Sequence, residues 1–257
     1  MKTRILGVAA VLLLAMSQCT ADELKLLSAG AMQRGLVTIA AKFKEHSGGQ
    51  VQIRYATAPE LRKILTENGA AADVILAPNP TLKELRDAGK IVPDTQKEIG
   101  GVGSAVLVRA DAPLPLPDVS SLAAFKRSLT EADALVYNRA SSGIYIESML
   151  KKIGVFDQIQ SKIVQVDDGE AVATRIKQGH GKEFGFGGYT DVLHNQETGG
   201  VKLVGAIPDE VQNYTMYSSA LIAAAPSPAP ARAFLALLET PEAQAIFLAS
   251  GVVPRKR

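Results

Sequence analysis

Cysteine occurs once in the 257 residues, at Cys19, and histidine three times, at His46, His180 and His194. No His/Cys cluster has metal-ligand spacing, so neither a metal site nor a cofactor is expected. If the chain is cut after Ala21, no cysteine remains for a disulfide or a thiolate site. Charge of one sign is missing too. Of 28 basic and 26 acidic residues, removal of residues 1–21 takes only Lys2 and Arg4, leaving 26 of each. Without a basic stripe, nucleic acid is not an expected partner. The apolar run at residues 5–16 is too short to span a bilayer. A Gly-x-x-x-x-Gly-Lys-Ser/Thr loop is absent, and the Gly185, Gly187 and Gly188 stretch is read as lacking the strand-to-helix context of a dinucleotide site. No nucleophile elbow with a matched histidine is evident. There is no internal repeat and no low-complexity segment.

The same apolar run, preceded by Lys2 and Arg4 and followed by small residues at Cys19 and Ala21, fits a secretory signal over residues 1–21. The expected location is the periplasm. A lipid anchor on Cys19 is the other option, but Gln18 and Met16 fit a lipobox poorly. The remaining 236 residues suit one large domain or two of about half that size.

Strand-like and helix-like segments alternate along this chain. After the apolar run 24–27, Met32, Leu36, Ile39, Ala40 and Phe43 fall on one helical face, which Gly48 and Gly49 end. Residues 51–55 alternate as a strand. Thr57 opens a second helix with Pro59 near its start and Leu61, Ile64 and Leu65 inside. Residues 74–76 form another strand, and residues 80–88 a third helix closed by Gly89. Such β-α repetition predicts a mostly parallel sheet with helices on both faces, and ligand beyond the carboxyl ends of the strands. Those ends carry Ser28, Ala29, Gly30, Thr57, Ala58, Pro78 and Asn79. A strand over residues 102–108 and a proline-rich spacer at residues 112–117 precede a second α/β series from Ser120 to about Tyr217. A strand at residues 219–224, helices at 232–238 and 241–250, and the closing Gly251 to Pro254 segment would return to the first lobe.

The sharpest local feature is the run Asn138, Arg139, Ala140, Ser141, Ser142, Gly143, Ile144, Tyr145. It reads as the end of a strand, a polar turn and the start of a helix. Unpaired N–H groups and the positive end of the helix dipole make such a place hospitable to an anion. Ser141, Ser142 and Gly143 are therefore candidate ligand contacts, with Arg139 as a fixed charge beside them.

Taken in order, Ser28-Ala29-Gly30-Ala31-Met32, the Ala71 to Asn79 run, Gly143-Ile144-Tyr145, Thr190-Asp191 and Ser250 to Pro254 resemble the periplasmic molybdate-binding protein family over nearly the whole exported chain. The resemblance implies a type 2 periplasmic-binding-protein fold of the α/β class. Lobe 1 would comprise residues 22–107 plus 215–257, and lobe 2 residues 108–214, with a ligand cleft between them. It also implies a monomer serving an inner-membrane ABC permease. The family's oxyanion ligands carry over in part. Ser28 matches the first serine, with Ala31 and the Gly30 backbone beside it. The second falls on Thr57 and Ala58, where the usual serine pair is missing. The family's late tyrosine aligns with Gly188, and Tyr189 sits one place later, which on a strand would turn it to the other face. Arg139 has no expected counterpart, and a guanidinium suits a carboxylate.

Two functions follow. The chain captures a small anion, either a tetrahedral oxyanion or an organic carboxylate, for uptake. Alternatively it resembles the family's aconitate isomerase-like members, which interconvert cis and trans tricarboxylates by allylic proton transfer without a cofactor. That reaction needs one group to remove and return a proton. Tyr189, Tyr145, Glu60 and His180 are the candidates. Each residue also has a plainer reading. Ser28, Thr57, Ser141 and Ser142 can be helix caps, Arg139 can pair with a surface carboxylate, and Tyr145 can be packing. The strand glycines can serve close packing. His180 can be a solvated turn residue, and Glu60 can serve the helix dipole.

Overall fold

A computed structural model describes residues 23–67, 71–139 and 141–254, without the side chain of Ser141. The expected export signal and Cys19 lie outside the described residues. Chain order begins β1 (Leu24–Ala29), α1 (Gln33–Ser47), β2 (Val51–Ala56), α2 (Ala58–Thr66), β3 (Val74–Pro78) and α3 (Asn79–Asp87). Next come β4 (Lys97–Arg109), α4 (Leu122–Glu131), β5 (Ala134–Asn138), α5 (Ser141–Lys152), α6 (Phe156–Ile159), β6 (Ile163–Val166) and α7 (Gly169–Gln178). The chain finishes with β7 (Glu183–Gly188), α8 (Tyr189–Thr198), β8 (Val201–Ala206), β9 (Tyr214–Leu221), α9 (Pro228–Leu238) and α10 (Pro241–Ala249).

Local chemistry sets the element ends. Gly48, at φ 69°, takes the left-handed turn that closes α1, with its N–H on the Lys44 carbonyl. At α2, Thr57 donates to Glu60 through its N–H at 2.9 Å and its hydroxyl at 2.7 Å, with Pro59 in the first turn. The apolar run Val74 to Ala77 is fully buried, as a strand covered on both faces requires. Asp73, also fully buried, fixes this strand from its start: it accepts from Lys25 N at 2.8 Å and Ser227 N at 2.7 Å.

The strands form one curled sheet in the order β2-β1-β3-β9-β4-β7-β5-β6, with β8 also on β4. Pairing is parallel for β1 with β2 and β3, and for β5 with β6 and β7. It is antiparallel wherever β4 or β9 takes part, so the sheet is mixed at its middle. The reason is β4, much longer than its apolar stretch suggested. Residues 97–103 pair with β9, whereas 104–109 pair with β7 and β8. The hydrophobic interior divides at the same place. Val102 and Tyr217 belong to a core with α1, α2, α3, α9 and α10, which we call lobe 1. Ala105 and Val106 belong to cores built from residues 105–211, lobe 2. The C-terminal segment returns to lobe 1: Gly101 and Val253 exchange backbone hydrogen bonds at 2.7 and 2.8 Å. Gly100 permits this approach, since a Cβ there would lie 2.6 Å from the Val253 carbonyl oxygen. Among the described residues no helix is long and apolar enough to cross a membrane.

One expectation is corrected here. The stretch Gly185 to Gly188 does lead from strand straight into helix, as β7 into α8. It still lacks the Gly-x-Gly-x-x-Gly spacing of a dinucleotide turn.

Candidate functional site at the strand ends

The carboxyl ends of β1, β2 and β3 in lobe 1 and of β5 and β7 in lobe 2 each run into a helical turn. The two lobes meet where α8 touches the short turn Gly30–Met32 that follows β1. Ala29 and Met32 belong to the lobe 1 core on which Ala31 and Tyr189 both pack. Ser28 is fully buried, and its hydroxyl donates to the Ala29 carbonyl at 3.0 Å. Ser28 caps no helix; Ala29 stands in the cap position of the following turn. Arg34 of α1 and Glu197 of α8 join the lobes with an ion pair at 2.9 Å.

Tyr189 is the first residue of α8 rather than a strand residue, so the one-place slip along a strand does not describe it. Its ring packs on the cores of both lobes. The ring also lies over Gly251, where an added Cβ would be 2.7 Å from a Tyr189 ring carbon.

Several expected contacts are otherwise engaged. The Gly143 N–H donates to the Asn138 side-chain oxygen at 3.2 Å, and the Asn138 amide donates to the Ser142 hydroxyl at 3.0 Å. Asn138, 6% exposed, thus caps α5 from inside the turn. Glycine is required there, because a Cβ on Gly143 would lie 1.6 Å from the Asn138 carbonyl oxygen. The expected side-chain contact of Ser141 lies outside the described residues. Thr57 and Glu60 hold each other in the α2 cap, and the Thr57 N–H, then its hydroxyl, keeps the Glu60 carboxyl below its usual range. Ala58 is the first residue of that helix.

Arg139 is turned to its own lobe. Its guanidinium pairs with Asp167 at 3.2 Å, both side chains being exposed, at 60% and 91%. It lines a recess of about 360 Å³ with Tyr137, Glu147, Phe156, Gln160, Ile163 and Gln165, all lobe 2 residues. Strand alternation explains this: Arg139 extends β5 by bonding the Val166 carbonyl, and two-residue periodicity puts it on the face of Tyr137, toward α5 and α6. The argument from a cation in the cleft to a carboxylate ligand therefore loses its basis.

Of the other proton-carrier candidates, Tyr145 donates its hydroxyl to the Val211 carbonyl, and burial raises its phenol. His180 is exposed just before β7, at the amino end of that strand, opposite the Gly188 end.

Two residues that sequence reasoning did not place in the site stand at the lobe junction. Asp191, in the first turn of α8, keeps partial solvent contact. Its carboxylate oxygen lies 2.8 Å from the position a Cβ on Gly188 would take. No hydrogen-bond donor among the described residues reaches that carboxylate, and desolvation lifts it to about 6, with the His194 charge acting the other way. Across from it, Tyr217 of β9 is 8% exposed and pairs in register with Pro78 at the carboxyl end of β3. Burial and then the Asp191 charge push its phenol up. Thr190 is 2% exposed, with a hydroxyl that has no partner among the described residues. The available signal was Thr190-Asp191 beside a bare glycine. What it lacked was Tyr217, 26 positions away (217 − 191). No group of three or more His, Cys, Asp or Glu side chains that could hold a metal occurs among the described residues.

The sequence model of the bacterial extracellular solute-binding protein family matches residues 24–253. Aconitate isomerase from Pseudomonas sp. is 27% identical over 235 residues, covering 90% of this chain and 87% of that protein. The periplasmic molybdate-binding protein of Azotobacter vinelandii superposes with a TM-score of 0.72 at 19% identity, covering 91% of this chain and 100% of that one. The sulfate-binding protein of Mycobacterium tuberculosis H37Rv gives 0.72 at 17% identity, covering 90% and 86%. Both structures share the two-lobed fold.

Proposed function

The chain belongs to the bacterial extracellular solute-binding protein family, and on that premise we propose that it captures a small organic polycarboxylate between its lobes. The setting is the periplasm, and the bound anion passes to an ABC uptake transporter. The observation that carries the proposal is the junction where α8 of lobe 2 touches the Gly30–Met32 turn at the end of β1, with Tyr189 packed on the cores of both lobes. The unpartnered Thr190 hydroxyl and the first N–H groups of α8, which no side chain caps, supply neutral donors suited to an anion. Support for a carboxylate over a metal oxyanion comes from the relative named aconitate isomerase, similar over 90% of this chain. Calorimetry and thermal shift with trans-aconitate, cis-aconitate, citrate, molybdate and sulfate test it. Saturable binding of at least one tricarboxylate is expected. A shift with molybdate or sulfate and none with any carboxylate would sink the proposal.

A second reading, that the cleft isomerises aconitate, is favoured by Asp191. A site that only captures anions gains nothing from a partly desolvated carboxylate without a donor, because its charge repels the ligand. A site that moves a proton needs an ionisable group of this kind. Proton NMR of trans-aconitate with the purified protein tests this reading, and a spectrum that stays unchanged at high protein concentration counts against it.

A further inference from the structure

We infer that Asp191 is the group that removes and returns the proton in this cleft, with Tyr217 of the facing lobe beside it. This rests on the isomerase reading above. The geometry is specific. Gly188 ends β7 without a side chain, and the space that its Cβ would enter is taken by an Asp191 carboxylate oxygen, 2.8 Å away. Any other residue at 188 would displace that oxygen. The carboxylate has no hydrogen-bond donor among the described residues, and it sits in the first turn of α8, the helix that touches the Gly30–Met32 turn of lobe 1. Tyr217 approaches from β9 in the lobe 1 core, so the pair assembles from both lobes. At the same helix turn the Thr190 hydroxyl is buried and unpartnered, a second polar group awaiting a partner. Of the candidates drawn from the sequence, Glu60 is held by Thr57, Tyr145 by the Val211 carbonyl, and His180 lies at the opposite strand end, whereas Tyr189 stands at the junction with its ring packed on the cores of both lobes.

The step balances without any co-reactant. The Asp191 carboxylate takes a proton from the methylene carbon of the tricarboxylate, so a C–H bond breaks and an O–H bond forms. The electron pair left on carbon spreads over the allylic unit and its carboxylates. The double bond moves by one carbon as the Asp191 O–H gives its proton to the former vinylic carbon. The conformation of the methylene arm when its proton leaves sets the geometry of the new double bond, and this exchanges trans and cis forms. Burial lifts Asp191 toward neutrality, which suits a group that must both accept and donate.

The experiment follows trans-aconitate by proton NMR in deuterated buffer with the mature protein, Asp191→Asn, Asp191→Glu and His180→Ala. Wild type and His180→Ala should convert the substrate at matching rates. Asp191→Asn should lose isomerisation by about 100-fold or more, together with deuterium exchange at the methylene, while trans-aconitate still raises its Tm. Asp191→Glu, which keeps the carboxyl, should recover part of the exchange and serves in place of Asp191→Asn if that variant does not fold. Turnover of Asp191→Asn within about threefold of wild type overturns the assignment alone. Exchange by Asp191→Glu no better than in the Asn variant, or absent when it stands in for an unfolded Asn variant, overturns it likewise. A wild-type protein that binds aconitate and never converts it overturns the isomerase reading, and the assignment with it.

Discussion

The side-chain amide of Gln212 bonds both backbone groups of Ser104: the Ser104 N–H reaches Oε1 at 2.7 Å and Nε2 reaches the Ser104 carbonyl at 2.9 Å. Ser104 is where β4 leaves its pairing with β9 and takes up β7. Gln212 thus supplies, from a side chain, the pair of bonds that a neighbouring strand would give. Gln212→Ala should remove both, leaving the N–H of Ser104, 9% exposed, without that acceptor, while the Ser104 carbonyl keeps the Ile207 N–H at 3.1 Å. A loss of about 1–3 kcal/mol is expected in urea unfolding. Because the bonds sit at the lobe crossing, ligand affinity should weaken with stability.

Gly143→Ala tests the turn before α5. The added methyl would lie 1.6 Å from the Asn138 carbonyl oxygen, so the backbone must move. The cost should reach about 2 kcal/mol or more, read as a lowered urea midpoint with an unchanged slope.

Arg139→Ala should do little. The Arg139–Asp167 pair is exposed on lobe 2, where such bridges contribute little against solvent and salt. Stability should change by less than about 0.5 kcal/mol, and the affinity for any anion that the cleft binds by less than about threefold. A loss of binding beyond tenfold, measured by calorimetry, would return Arg139 to the site.

Asp191 makes a pH prediction whose sign follows from proton linkage. Its folded value of about 6 exceeds the ordinary 3.8, so the folded protein holds this proton more tightly than the unfolded chain. The contribution of this group is therefore most favourable below about pH 4 and is lost as pH rises through 6. The difference amounts to at most about 3 kcal/mol. Asp191→Asn should raise stability at pH 7 to 8 and flatten the dependence between pH 4 and 6, measured by urea unfolding across that range. The Tyr217 phenol and the His194 ring, the charged or titratable neighbours felt by or acting on this carboxyl, are the groups to hold constant.

What the sequence determined by itself is local or periodic. The apolar spacing of Leu36, Ile39 and Phe43 produced α1, and Gly48 ended it. Thr57, Pro59 and Glu60 opened α2 within four residues of one another. The ordered motifs from Ser28 to Pro254 carried the family and the two-lobed fold, because four of the five lie where a strand runs into a helix, after β1, β3, β5 and β7. Tertiary structure alone decided which way the site residues face. Arg139 turns away because β6 lies beside β5 and offers Asp167, 28 positions later. The Gly143 N–H is taken because Asn138 folds back over its own turn. Asp191 gains its character from desolvation at the lobe junction, where Tyr217 of the other lobe feels its charge. Strand parity, cap geometry and burial across the lobe junction depend on neighbours distant in the chain, and a linear pattern of residues carries no record of them.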